Sequence, residues 1–248
     1  MNPTVVFGAA LIGISLGLTG AGGSIITLPV VVYLAGVPEK EAVGLSLFVV
    51  GVAAAAGALR RMMAKELHLR VASIFVVSGV IGAFIGAKFT GLLPKGWLMI
   101  LFAILMVIVA LRMFAARNKV DSEAADYHPA KCFGVGLGVG VLTGFIGVGG
   151  GFLLVPALAR FARLPMRMAM GTSLAIIAFN SFSGYISHYG DAPPRVELMT
   201  VFSVIAAAGV LLGAHFSSKL PVPVLRKVFA VAVMLASAAI FWKTAHHG

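Results

Sequence analysis

A single cysteine, Cys132, is all that 248 residues contain, which excludes an intramolecular disulfide and any cysteine-cluster metal site. Acids are scarce: eight Asp and Glu stand against 19 Lys and Arg. All eight, Glu39, Glu41, Glu66, Asp121, Glu123, Asp126, Asp191 and Glu197, fall between apolar runs or at their ends. Cation channels and many proton-driven pumps set carboxylates in the ion's path, so this absence counts against cation movement. No basic residue precedes Lys40. The N-terminus thus lacks the charged front of a cleaved signal peptide, and the first apolar run is expected to stay in the mature protein. The Lys and Arg residues are spread along the chain rather than gathered in a patch. The net charge of +11 therefore argues for lipid-interface anchors and positive-inside signals, not for nucleic acid.

What the chain has in excess is apolar sequence: 60% hydrophobic residues and a mean hydropathy of +1.05, far outside the range of a soluble domain. The apolar segments run continuously rather than alternating as barrel strands do, so the fold class is an all-α integral membrane protein. Eight segments are expected, at about 3–35, 42–59, 71–93, 96–111, 132–159, 168–187, 196–218 and 228–242, to be compared with roughly 20 residues for one crossing. A hydrophilic linker, 117–130, separates a first half, 3–116, from a second, 131–243.

The halves read as copies at a constant offset of 127 residues. Gly20, Gly22, Gly23 and Pro29 fall on Gly147, Gly149, Gly150 and Pro156; Gly44, Ser46 and Leu47 on Gly171, Ser173 and Leu174; Gly82, Gly86 and Pro94 on Gly209, Gly213 and Pro221. Glycines and prolines in ungapped register imply an internal duplication within one membrane domain.

Charge orients the copies. Were every segment to cross once, the basic residues would divide ten against nine. If the first segment of each half doubles back at its glycine cluster, they divide fourteen against five, the asymmetry that short cytoplasmic loops carry. The expectation is therefore two inverted repeats of four segments, each opening with a glycine-broken, re-entrant or bent helix pair. That gives eight to ten membrane segments, with both termini outside. A returning arm over 24–35 would rise only about 18 Å.

Unwound backbone inside a bilayer is tolerated only where protein or a water-filled cavity satisfies it. Glycine lets such backbone approach a ligand with its N–H groups free. The helices that follow, from Ser24 and Gly151, turn their positive ends to the breaks. The expected ligand is a small anion, at a midplane site of the kind inverted-repeat transporters build from paired broken helices. The candidate binding residues are Thr19, Gly20, Gly22, Gly23, Ser24 and Ser46 of the first half and Thr143, Gly147, Gly149, Gly150, Gly151, Thr172, Ser173 and Asn180 of the second. The competing reading is that the glycines serve only close helix packing. Ser46 and Ser173 either donate to the ligand or bond back to their own helices. Asn180, whose counterpart is Ala53, either breaks the symmetry of the site or bonds between helices. Lys88 and His215 are equivalent positions; they either bracket an anion path or snorkel to an interface. Nothing in the sequence implies a metal or cofactor.

The phrases Gly13-Ile-Ser-Leu-Gly-Leu-Thr-Gly-Ala-Gly-Gly-Ser24 and Gly138-Val-Gly-Val-Leu-Thr-Gly-Phe-Ile-Gly-Val-Gly-Gly-Gly151 each run on to a proline and then to Gly-x-Ser-Leu at 44–47 and 171–174. In this the whole chain resembles the TauE/SafE family of sulfite exporters, also called the toluene sulfonate uptake permease family. The resemblance implies a multi-pass inner-membrane transporter or permease of small sulfur-containing anions such as sulfite or a sulfonate, often exporting them. Its partners would be that anion and the lipid bilayer, and a homo-oligomer is compatible with it. Catalysis is not expected: Ser183-Gly184 with His188 is the nearest approach to a hydrolase, but Ser181 stands where the nucleophile motif has glycine. A non-transporting scaffold or sensor would carry a larger soluble domain.

Overall fold

The computed structural model describes residues 3–21, 23, 27, 30–89, 104, 106–108, 110–111, 128–146, 151–187 and 196–247. Every regular element among them is helical: α1 (Pro3–Thr19), a π-helical turn (Val30–Leu34), α2 (Glu39–Met63), α3 (Leu69–Phe89), α4 (Pro129–Ile146), α5 (Gly151–Phe161), α6 (Met166–Ser187), α7 (Val196–Lys219) and α8 (Val222–His247). Over Glu41–Met63, Leu69–Gly86 and Val196–Lys219 the helices are long and apolar enough to cross a membrane. Large apolar side chains stand exposed along α3 (Val77, Phe84), α7 (Val204, Leu212) and α8 (Val231, Leu235), the faces a membrane protein turns to lipid.

The glycine-broken segment of the first half is interrupted; in the second half residues 147–150 lie outside the described residues. The first leaves α1 at Gly20, in a left-handed conformation with φ of 76° that glycine adopts without penalty. The chain then returns along α1: a Cβ on Gly23 would lie 2.7 Å from the carbonyl oxygen of Ile12, and one on Gly8 would lie 2.6 Å from Val30 Cγ1. In the second half α4 ends at Ile146 and α5 begins at Gly151. At 11 residues α5 rises about 16 Å, half a crossing. It is buried from Gly151 to Leu158 except at Pro156, and exposed at Arg160 and Phe161.

The core is built by partners drawn from opposite halves: α1 packs on α7, α3 on α4, and α2 on α6. Small residues set these distances. A Cβ on Gly13 would overlap the carbonyl oxygen of Ala206, and one on Gly140 that of Gly79; Gly17 and Gly144 meet the carbonyls of Val210 and Ala83 in the same way. Each of these contacts is carried onto its fellow by the offset of 127 residues. So are the backbone bonds from Val37 N–H to Val31 O (3.3 Å) and from Leu164 N–H to Leu158 O (3.2 Å). These follow Gly36 at φ 64° and Arg163 at φ 51°.

One boundary and one side chain differ from expectation. The last helix begins at Val222, six residues before its apolar run, because Pro223 is tolerated in a first turn and Arg226 and Lys227 are good helix formers that hydropathy alone passes over. Arg61 is expected as a lipid-interface anchor, yet it is 2% exposed and turned into the protein.

Candidate functional site

The first break is held from across the molecule. The Ser173 hydroxyl, buried on α6, lies 2.8 Å from the carbonyl oxygen of Gly20 and 2.8 Å from that of Met170. A Cβ on Gly20 would come within 2.9 Å of Met170 Cα, so only glycine combines this conformation with this approach. Thr19, 2% exposed, donates its hydroxyl to Ser15 O at 2.7 Å and accepts from the Ala21 N–H at 3.3 Å. Gly23 is buried against α1. Thr27 donates to the Gly23 carbonyl at 2.7 Å.

One turn of α6 carries both sides of this node. Next to Ser173, the buried Thr172 hydroxyl accepts the His68 N–H at 3.0 Å, and a Cβ on Gly171 would overlap the Glu66 carbonyl oxygen. The Gly-Thr-Ser-Leu phrase thus ties the first glycine break to the loop between α2 and α3. The matching Gly44 has open space where a Cβ would be. Ser46 donates to Val43 O at 2.8 Å within its own helix.

Of the other candidates, Gly151 is buried at the start of α5, and Thr143 donates to Gly140 O at 3.0 Å on α4. Asn180 is exposed on α6. Lys88, in the last turn of α3, is exposed with its ammonium 5.0 Å from the Phe84 ring centroid. His215, exposed on α7, has Nδ1 3.3 Å from an Arg60 nitrogen. Gly22, Ser24, Gly147, Gly149 and Gly150 lie outside the described residues, as does His188. Ser183 sits inside regular helix α6, without the strained turn that exposes a hydrolase nucleophile.

Sequence reading missed a buried polar cluster at one end of the bundle. Arg61 pairs through Nη1 with Glu66 and donates from Nη2 to Ser217 Oγ at 2.5 Å. Arg167 lies 3.7 Å from the other Glu66 oxygen and donates to Leu220 O at 3.2 Å. The backbone explains the placement. Lys65, at φ 57°, ends α2 with its N–H on Met62 O and the Glu66 N–H on Arg61 O, the 5→2 and 6→1 pair of a Schellman motif. Glu66 is thereby turned back under Arg61. Its signal in the sequence is that Glu66 is the lone acid among Arg60, Arg61, Lys65 and Arg70. The cluster brings the α2–α3, α5–α6 and α7–α8 connections to one end of the molecule.

Comparison with known proteins covers nearly the whole chain. A family profile described as "Sulfite exporter TauE/SafE" matches residues 5–240. A Xylella fastidiosa protein described as "Probable membrane transporter protein" is 32% identical over 246 residues, covering 94% of this chain and 92% of its own. "Probable membrane transporter protein YdhB" of Bacillus subtilis is 25% identical, covering 91% and 94%. A Methanocaldococcus jannaschii protein, "Probable membrane transporter protein MJ0441", is 26% identical, covering 91% and 87%. No solved structure matches.

Proposed function

The chain belongs to the TauE/SafE sulfite exporter family of membrane transporters, and on that premise we propose that it moves a small sulfur-containing oxyanion, sulfite or a sulfonate, outward across the inner membrane. The observation that carries this reading is the first break itself. Gly20 is buried and left-handed, and is pressed against the α6 backbone and Ser173. Such a break is costly in a bilayer unless it is used. The anion would be held by backbone N–H groups of the two glycine clusters and by the N-terminal end of α5, where the helix dipole is positive. Ser173, whose hydroxyl serves carbonyl oxygens, would act by fixing the break rather than by touching the anion.

Direction follows from charge. A membrane potential, negative inside, favours outward movement of an anion by about 2.3 kcal/mol per charge per 100 mV, so export requires no coupled ion. The gathering of Arg61, Arg167 and Lys219 at one end supports assigning that end to the cytoplasm and both termini to the periplasm. Purified protein in liposomes should pass sulfite or a sulfonate at a rate that rises with the imposed potential. Folded protein that carries neither anion, whatever the potential, would sink the proposal.

A further inference from the structure

Between the C-terminal ends of α2 and α7 lies an open cavity of about 570 Å³, lined among others by Leu59, Arg60, Arg61 and Met63 of α2 and by Leu211 and Ser218 of α7. Its outer wall is apolar and uncovered: Leu59 is 55%, Met63 79% and Leu211 40% exposed. On a membrane protein such a wall faces acyl chains, not water. Its inner end is cationic. Arg60 makes no ion pair with a carboxylate among the described residues; its contact is His215 Nδ1 at 3.3 Å. Arginine has no acceptor, so in a hydrogen bond here Nδ1 accepts and Nε2 is the ring nitrogen left to donate. The Nε of Arg61, on a side chain 2% exposed, has no hydrogen-bond partner among the described residues. Glu66 also lines the cavity, but its carboxylate is already engaged by Arg61 and lies 3.7 Å from Arg167. Arg60 and His215 each precede the end of their helix, at Met63 and Lys219, by about 6 Å of helical rise or less. With the helix ends at the membrane surface, that rise sets both side chains at the boundary between headgroups and acyl chains.

We propose that this groove binds an anionic phospholipid, its phosphate on Arg60 and His215 and an acyl chain along Leu59, Met63 and Leu211. A basic recess between spanning helices, level with the headgroups, has the chemistry that holds an anionic lipid. A small soluble anion has no use for the apolar wall. A zwitterionic lipid brings a cation of its own to an already basic recess. The proposal concerns the surface between α2 and α7 and does not depend on which anion is transported.

Native mass spectrometry of the full chain, titrated in neutral detergent with dioleoylphosphatidylglycerol or dioleoylphosphatidylcholine, tests it. The wild type should retain phosphatidylglycerol in preference to phosphatidylcholine. Arg60→Gln should weaken phosphatidylglycerol about fivefold, as loss of one interfacial cation implies. Leu211→Trp, which fills the groove and leaves its charges in place, should weaken it as well, and carries the test alone if Arg60→Gln does not fold. Lys131→Gln, removing an exposed cation elsewhere, should have no effect. Equal retention of both lipids by the wild type, or undiminished phosphatidylglycerol binding by folded Leu211→Trp, overturns the proposal. So does displacement of the lipid by an equal concentration of inorganic phosphate, which would assign the recess to a soluble oxyanion.

Discussion

Arg61 is the residue on which the end of the bundle turns. Deleting one partner of a buried ion pair costs about 3–5 kcal/mol, because the other charge is left uncompensated. The two partners are not equivalent, since Arg61 is 2% exposed and Glu66 is 20% exposed with Arg167 nearby. Glu66→Gln, which strands the buried cation, should therefore lower the melting temperature more than Arg61→Met. Adding Arg61→Met to Glu66→Gln should restore part of the loss. Differential scanning fluorimetry in detergent reads all three; a Glu66→Gln protein that melts with the wild type would show the pair to be of no consequence. This residue was not legible in the sequence. An arginine at the end of an apolar run looks the same whether it reaches to the headgroups or turns inward. Its direction was decided by the turn at Lys65 and by Ser217, more than 150 positions away. Gly20, by contrast, was legible, because glycine stands where other residues fail.

At the scale of helices, the seams between α1 and α7 and between α3 and α4 rest on bare glycine surfaces. Gly13 and Gly140 are equivalent under the 127-residue offset, and a methyl group on either would overlap a facing backbone carbonyl. Gly134 and Gly138, on the same α4 helix, would place a methyl group with nothing within 4 Å of it. Gly13→Ala and Gly140→Ala should thus cut the yield of folded protein to a similar degree, while Gly134→Ala and Gly138→Ala are tolerated. Size-exclusion profiles of the four variants check this, and equal behaviour of Gly138 and Gly140 would refute it. The sequence disclosed that these glycines repeat. It could not tell seam glycines from idle ones, since that depends on a helix from the other half. Nor did hydropathy find the start of α8, because Arg226 and Lys227 lower it without disturbing the helix.

For the whole molecule, the meeting of three connections at one end makes a topological statement. Single cysteines placed at Ala64, Arg160 and Lys219 in a Cys132→Ser background, all at exposed positions, should react with a membrane-impermeant thiol reagent from the same side. The cytoplasmic assignment predicts labelling in inside-out vesicles and protection in spheroplasts; a split among the three positions would break it. The charge count read from sequence already grouped these loops, because Lys and Arg report sidedness whatever the packing. The exchange of partners between halves has a further consequence, for synthesis. When α1 leaves the ribosome its partner α7 does not yet exist, whereas α3 needs only the next described helix, α4. The two seams, alike in geometry, therefore close at opposite ends of translation, and α1 must wait in the lipid with its glycine face bare until α7 arrives. A protein cut at the linker would leave α1 and α3 of the first piece without partners, and a second copy of that piece could supply neighbours for both. An ancestral chain half this length would in that case have worked as a pair.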